Sequence, residues 1–209
     1  MASLKDNYKE RHLFNFYKSW DLDGDGWLTA EDFMSNAETL AVLQRHGKWE
    51  EDVVARWRSY LGGWWDILLA EATPSSPDFS NKGSSDRRSG AVSFEDWARF
   101  LKKVSILADS YRELPDFLKA YGNLLFVRMD YNKDGLICVK DYRIYVAKNN
   151  MDIMRSNDCY AFMLSSTDLR NDSILSRQRF DELFYEYWTS HHPACRGQYI
   201  LGPYENMSL

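Results

Sequence analysis

Residues 21–32 read Asp21-Leu22-Asp23-Gly24-Asp25-Gly26-Trp27-Leu28-Thr29-Ala30-Glu31-Asp32. Side-chain oxygens stand at positions 1, 3, 5, 9 and 12 of this stretch, and a glycine stands at 6. A loop wound around a hard cation needs that alternation. Ca²⁺ takes six to eight oxygens at about 2.3–2.6 Å, and the glycine makes the sharp turn that points them inward. Asp21, Asp23 and Asp25 fill positions 1, 3 and 5. Trp27 offers its backbone carbonyl at 7, Thr29 acts through water at 9, and Asp32 closes the set at 12, where glutamate is usual. The stretch carries five acidic residues and no lysine or arginine. Carboxylates crowded like this repel one another until a cation neutralises them. The pattern is that of an EF-hand calcium loop.

A second match runs from Asp130 to Asp141: Asp130-Tyr131-Asn132-Lys133-Asp134-Gly135-Leu136-Ile137-Cys138-Val139-Lys140-Asp141. Its expected ligands are Asp130, Asn132, Asp134, the Leu136 carbonyl and Asp141. Cys138 at position 9 is a poor ligand for a hard ion, and water can fill that vertex. Two lysines offset part of the acidity, so this loop is expected to bind more weakly than the first.

EF-hands pair, because the residue at position 8 of one loop bridges its counterpart in another. Two degenerate loops supply the partners. Residues 85–96 keep Gly90 at position 6, Val92 at 8 and Asp96 at 12, but place Ser85, Arg87 and Ser89 where ligands belong. Residues 168–179 keep Leu175 and Ser176 at positions 8 and 9, with Arg170 at 3 and Arg179 at 12. Both are read as non-binding. Leu28 is expected to pair with Val92, and Ile137 with Leu175.

Apolar residues at helical spacing flank each loop. Examples are Leu13, Phe16, Tyr17 and Trp20 before the first, and Val53, Trp57, Tyr60, Leu61, Trp64 and Leu68 on a longer helix with Gly62-Gly63 inside, where a kink is allowed. Leu114-Pro115 marks a helix start and the lobe boundary. The predicted fold is all-α, with four EF-hands in two paired lobes packed into one compact globule. Residues 1–108 would form the N-terminal pair, with a flexible Pro- and Ser-rich insertion at 73–91. Residues 109–209 would form the C-terminal pair, with the apolar tail His191–Tyr204 packed back. The adjacent His191 and His192 are expected at the surface.

The whole chain has 209 residues, 15% of them aromatic, and a net charge of −5. That balance argues against nucleic acid as a partner. No apolar run nears the roughly 18 residues needed to span a bilayer. The N-terminus has no apolar signal core, and the chain's three cysteines, Cys138, Cys159 and Cys195, are an odd number at unpatterned spacing, which suits a cytoplasmic setting. Two glycosylation-type triplets, at Asn171 and Asn206, then read as chance. There is no phosphate-binding Gly-rich loop and no kinase signature, so an enzyme is not expected.

The loop layout, the aromatic helices and the aspartate at position 12 resemble invertebrate sarcoplasmic calcium-binding proteins, chiefly their calexcitin-like branch. Leu114-Pro115-Asp116-Phe117-Leu118 and the ending Tyr185-Glu186-Tyr187-Trp188 … Gly197-Gln198-Tyr199-Ile200-Leu201-Gly202 look like that group's linker and tail. The resemblance implies a compact, all-helical cytosolic protein that buffers or senses Ca²⁺, and members usually bind two or three ions. The loops themselves point to two ions in this chain, which is expected to be a monomer, with Mg²⁺ competing because aspartate at position 12 reaches less far than glutamate. More distantly, Tyr187-Trp188 … Pro193-Ala194-Cys195 … Tyr199 resembles the end of calcium-regulated photoproteins, which hold a coelenterazine-type ligand. Phe184 stands where their C-terminal histidine would be. The alternative function is therefore a Ca²⁺-regulated carrier of an apolar small molecule. No protein partner is named by the sequence.

Overall fold

The computed structural model of the chain describes residues 7–72 and 90–204. Most of the anticipated insertion, including Ser85, Arg87 and Ser89, lies outside these residues, as do the N-terminus and the triplet at Asn206. The described chain is helical, as predicted. Its helices are α1 (Asn7–Asn15), α2 (Ala30–Gln44), α3 (Glu51–Ala72), α4 (Phe94–Leu107), α5 (Asp116–Met129), α6 (Val139–Lys148), α7 (Ser156–Met163), α8 (Ser166–Arg170) and α9 (Arg177–Thr189). Two short strands, β1 (Leu136–Ile137) and β2 (Leu175–Ser176), and several short π- and 3₁₀-helical turns accompany them. No helix among the described residues is long and apolar enough to cross a membrane.

The chain divides into two compact units, His12–Leu101 and Met1–Arg11 with Lys102–Leu209. These units divide within α4, and residues 7–11 fall with the chain from Lys102 onward; the boundary anticipated from chain order lies between 108 and 109.

In the unit His12–Leu101, α1 passes into a single π-helical turn, Phe16–Trp20, closed by Asp21 N–H on the Phe16 carbonyl at 2.9 Å. The sequence pattern did not foresee this wider turn. It leaves both Phe16 and Trp20 buried while delivering Asp21 to the loop. A shell of rings fills the interior: Trp20 stands edge-on to Trp64 at 4.8 Å, Trp64 lies 5.1 Å from Trp97, and Phe33 lies 5.3 Å from Trp64. Burying each such side chain contributes roughly 1.5–3 kcal/mol. α3 runs as one continuous helix through Gly62-Gly63. Gly62 faces Met34 of α2, and a side chain there would meet it. Tyr60, assigned to the apolar face, is exposed instead.

In the other unit, α5, α6, α7 and α9 bury Leu118, Tyr142, Tyr160, Phe180 and Trp188. α5 begins at Asp116, with Pro115 as its N-cap residue, one position later than the sequence implies. The tail packs back as predicted. Ile200, Leu201 and Tyr204 are buried, and the 3₁₀ turn Arg196–Tyr199 lies on α9, where Gly197 is so close that a Cβ would overlap the Leu183 carbonyl. His191 and His192 are exposed. Arg11 was not foreseen as a core residue, yet it is fully buried. Its guanidinium donates to the carbonyls of Glu186, Tyr187 and Ser190. Those carbonyls close α9, so the cation sits at the negative end of the helix dipole.

Candidate metal centres

The backbone organises the first loop before any side chain meets an ion. Gly24 and Gly26 both take positive φ, +73° and +85°, which turns their N–H groups inward. Gly24 N–H donates to Asp21 Oδ1 and Gly26 N–H to Asp21 Oδ2, each at 2.9 Å. Asp25 N–H donates to Asp23 at 3.1 Å, and Trp27 N–H to Asp25 at 2.9 Å. This ladder gathers the carboxylates. One oxygen each from Asp21, Asp23 and Asp25 lies within 4.8 Å of the others. Two oxygens bound to one Ca²⁺ can be no farther apart than about 5 Å, twice the Ca–O distance, so the cluster fits that ion. Burial pushes the Asp21 carboxyl above its ordinary value, and neighbouring Asp23 adds to the effect, while the Gly26 and Gly24 amides oppose it. A negative charge is uncomfortable there, which a cation would relieve.

Asp32 is not in this cluster. Its Oδ2 accepts from Thr29 N–H at 2.9 Å and from the Thr29 hydroxyl at 2.7 Å, and its Oδ1 accepts from Leu22 N–H at 3.1 Å. Asp32 N–H in turn donates to Thr29 Oγ1. Loop positions 9 and 12 are thus also the N-cap and third residue of α2, joined in a capping box. Asp32 ties the loop's start to the helix that leaves it.

The loop 130–141 repeats the ladder nearly bond for bond. Asp134 N–H donates to Asp130 Oδ1 at 3.1 Å and Gly135 N–H to Asp130 Oδ2 at 2.9 Å. Asp134 N–H also reaches Asn132 at 3.2 Å, and Leu136 N–H reaches Asp134 at 2.8 Å. Cys138 N–H donates to Asp141 Oδ2 at 2.9 Å. Asp130 and Asp141 are buried; Asn132 and Asp134 are exposed. One difference stands at position 4. Gly24 there has its counterpart in Lys133, held at φ +62°, where a side chain is strained.

The bridges fall where the sequence put them. Leu28 and Val92 exchange two backbone hydrogen bonds of 2.9 Å. β1 and β2 pair antiparallel, with Ile137 opposite Leu175 and Leu136 opposite Ser176. The Tyr160 hydroxyl lies 2.7 Å from the Ile137 carbonyl and 2.8 Å from that of Ser173, touching both loops of this pair. Burial raises its pKa well above the tyrosine value, so it stays a donor.

The degenerate loops hold their own cations. In the described part of 85–96, Asp96 accepts from the Ser93 hydroxyl at 2.8 Å and from Arg99 at 2.9 Å. The segment 168–179 departs from a loop altogether at its start, because Ser166–Arg170 is helical. Ser165 caps that turn, donating to Asp168 Oδ2 through N–H at 2.7 Å and through its hydroxyl at 2.6 Å. Arg179, at position 12, reaches back to Asp168 at position 1 with Nε–Oδ2 of 3.1 Å. The same guanidinium donates to the Met163 carbonyl at 3.2 Å and to Glu182 at 3.0 Å. The sequence revealed the wrong sign for a dication here but not this pairing. An arginine eleven residues beyond an aspartate, at the two ends of a loop frame, was the signal available.

No family model matches the chain. Over 186 residues it is 23% identical to a sarcoplasmic calcium-binding protein of Scylla paramamosain, covering 88% of this chain and 89% of that one. It is 22% identical to sarcoplasmic calcium-binding protein 1 of Astacus leptodactylus, covering 88% and 90%. Among solved structures, a sarcoplasmic calcium-binding protein from amphioxus superposes with a TM-score of 0.67 at 20% identity, over 95% of this chain and 98% of that one. Calcium-loaded apo-aequorin from Aequorea victoria gives 0.56 at 12% identity, over 90% and 92%. Three of these four are named as sarcoplasmic calcium-binding proteins, in keeping with the expectation of a non-enzymatic protein. Sequence along most of the chain and fold along nearly all of it agree on one likeness, that to the sarcoplasmic calcium-binding proteins.

Proposed function

We propose that this chain is a cytoplasmic calcium buffer that takes up two Ca²⁺, one in loop 21–32 and one in loop 130–141. Asp21, Asp23, Asp25, the Trp27 carbonyl, Thr29 through water and Asp32 would hold the first ion. Asp130, Asn132, Asp134, the Leu136 carbonyl and Asp141 would hold the second. The observation that carries this reading is the convergence of Asp21, Asp23 and Asp25 within 4.8 Å, on a backbone ladder that loop 130–141 repeats.

Mg²⁺ competes at both sites on this reading. The position-12 residue is aspartate in each loop, and its carboxylate is already engaged by backbone amides: Thr29 and Leu22 for Asp32, Cys138 for Asp141. A short, engaged carboxylate disfavours bidentate coordination, which Ca²⁺ exploits and Mg²⁺ does not need. A sensor of the calmodulin kind exposes a Met-rich groove. Here Met129 and Met163 are fully buried and the core is built of rings, which favours buffering. Isothermal titration of Ca²⁺ should give two sites, and Asp21→Ala and Asp130→Ala should each remove one. A stoichiometry of three or four would refute it. Stopped-flow Ca²⁺ uptake should slow in millimolar Mg²⁺; equal rates with and without Mg²⁺ would remove the competition.

The second reading is a calcium-regulated carrier of an apolar small molecule, motivated by the ring-rich interior. Against it, Trp20, Phe33, Trp64 and Trp97 contact one another in the unit His12–Leu101. Native mass spectrometry of protein from its natural source should show no added organic mass.

A further inference from the structure

We propose that Arg179 is the resident cation of the fourth hand and acts as a positioning residue for the calcium loop 130–141. The proposal rests on the calcium reading of that loop. Its starting point is geometric. The Arg179 guanidinium bridges Asp168 and the Met163 carbonyl, so one side chain joins the end of segment 168–179 to its beginning and to the helix before it. Arg179 and Asp168 are mostly buried, with side chains 14% and 10% exposed. A cation so placed does in this hand what a bound ion would do in a loop with intact ligands: it neutralises the position-1 carboxylate and fixes the distance between the loop's ends.

An internal bond fixes the turn of that closed segment, and two links run from it to the calcium loop. Ser173 N–H donates to the Asp168 carbonyl at 2.9 Å, fixing the turn. The Ser173 carbonyl and the Ile137 carbonyl share the Tyr160 hydroxyl. β2 pairs with β1, and β1 contains Leu136, whose carbonyl is the position-7 ligand. Loop 130–141 therefore leans on a neighbour that stays ordered without calcium. A partner loop that had to bind its own ion would add an ordering cost to the first binding event. With Arg179 in place that cost is already met by folding. Loop 130–141 is less acidic than loop 21–32, and preorganisation is the means by which it can still bind.

The test separates the two loops by mutation. In full-length Asp21→Ala protein, calcium binding reports loop 130–141. Adding Arg179→Ala should weaken that affinity tenfold or more, because Asp168 loses its counter-charge and the segment loosens. Arg179→Lys, which restores the charge but not the fork, should recover part of the loss. In full-length Asp130→Ala protein, which reports loop 21–32, Arg179→Ala should change affinity less than about twofold. Equal affinity with and without Arg179 in the Asp21→Ala background overturns the proposal, as does an equal loss at both loops. Hydrogen exchange of the wild-type chain in excess EGTA gives a second measure that needs no variant. Amides of Ser173 and of β2 should remain protected; exchange there at the rate of exposed loops overturns the proposal. Should the Asp21→Ala protein bind no Ca²⁺ at all, the calcium reading of loop 130–141 fails, while exchange in EGTA still decides whether the fourth hand closes on its own cation.

Discussion

Loops 130–141 and 168–179 lie in one unit, joined by β1 and β2 and by the Tyr160 hydroxyl, yet they meet the same electrostatic problem in different ways. Each begins with a buried aspartate, Asp130 or Asp168. Around Asp130 the chain arranges backbone N–H groups and further oxygen donors, leaving negative charge that a dication can satisfy. Around Asp168 it places two Ser165 donors and the Arg179 guanidinium. A buried carboxylate must be compensated one way or the other. The difference teaches that a degenerate hand is not an empty one. The loop without a ligand set holds a covalently tethered cation instead, and its strand pairs with that of the partner loop.

The largest effect should come from removing a position-1 aspartate, which strips the ladder's anchor. Asp21→Ala or Asp130→Ala should weaken its own loop about 100-fold or more, roughly 2.7 kcal/mol, as read by calorimetry. A loss shared equally by both loops would erase the contrast between them. Next comes reversal of the tethered charge. Arg179→Glu sets two carboxylates together and should destabilise the second unit by about 3 kcal/mol in urea denaturation with EGTA present. It should not create a third calcium site, because Arg170 still stands at position 3, where a ligand belongs. A third ion in the titration would show that sign alone separates the two kinds of loop.

A smaller change is expected at position 12. Asp32→Glu or Asp141→Glu lengthens the carboxylate and should favour Ca²⁺ over Mg²⁺ by about tenfold, roughly 1.4 kcal/mol. An unchanged preference would mean that the backbone contacts of Asp32 and Asp141, not side-chain length, set selectivity. Smallest is position 4, where the two intact loops differ. Lys133→Gly relieves a left-handed lysine and should stabilise the unit by about 0.5 kcal/mol after the entropy of the glycine is deducted. Gly24→Lys should cost a similar amount in the other unit. If both are neutral in thermal unfolding, the strain at Lys133 is absorbed elsewhere.

Much of this was legible before any coordinates. Gly26 and Gly135 sit at positive φ because a tight loop needs them. Leu28–Val92 and Ile137–Leu175 pair because position 8 of each loop must satisfy its backbone. Three features went unread. The π-helical turn Phe16–Trp20 follows from packing Phe16 and Trp20, not from any local signal. The α8 turn arises because Ser165 and Asp168 form a capping box inside what the frame treats as loop. No sequence pattern singled out Arg11, and its burial depends on carbonyls about 175 residues away along the chain, at the end of α9.

The sequence by itself determined the loops, their ladders, the caps and the pairing of the hands, because each depends on residues within a dozen positions and on fixed backbone geometry. Only the tertiary structure decided which charges are neutralised from within. Arg179 on Asp168 and Arg11 on the α9 carbonyls require a long side chain to meet a particular partner in space, and such meetings are set by how helices pack rather than by the spacing of letters along the chain.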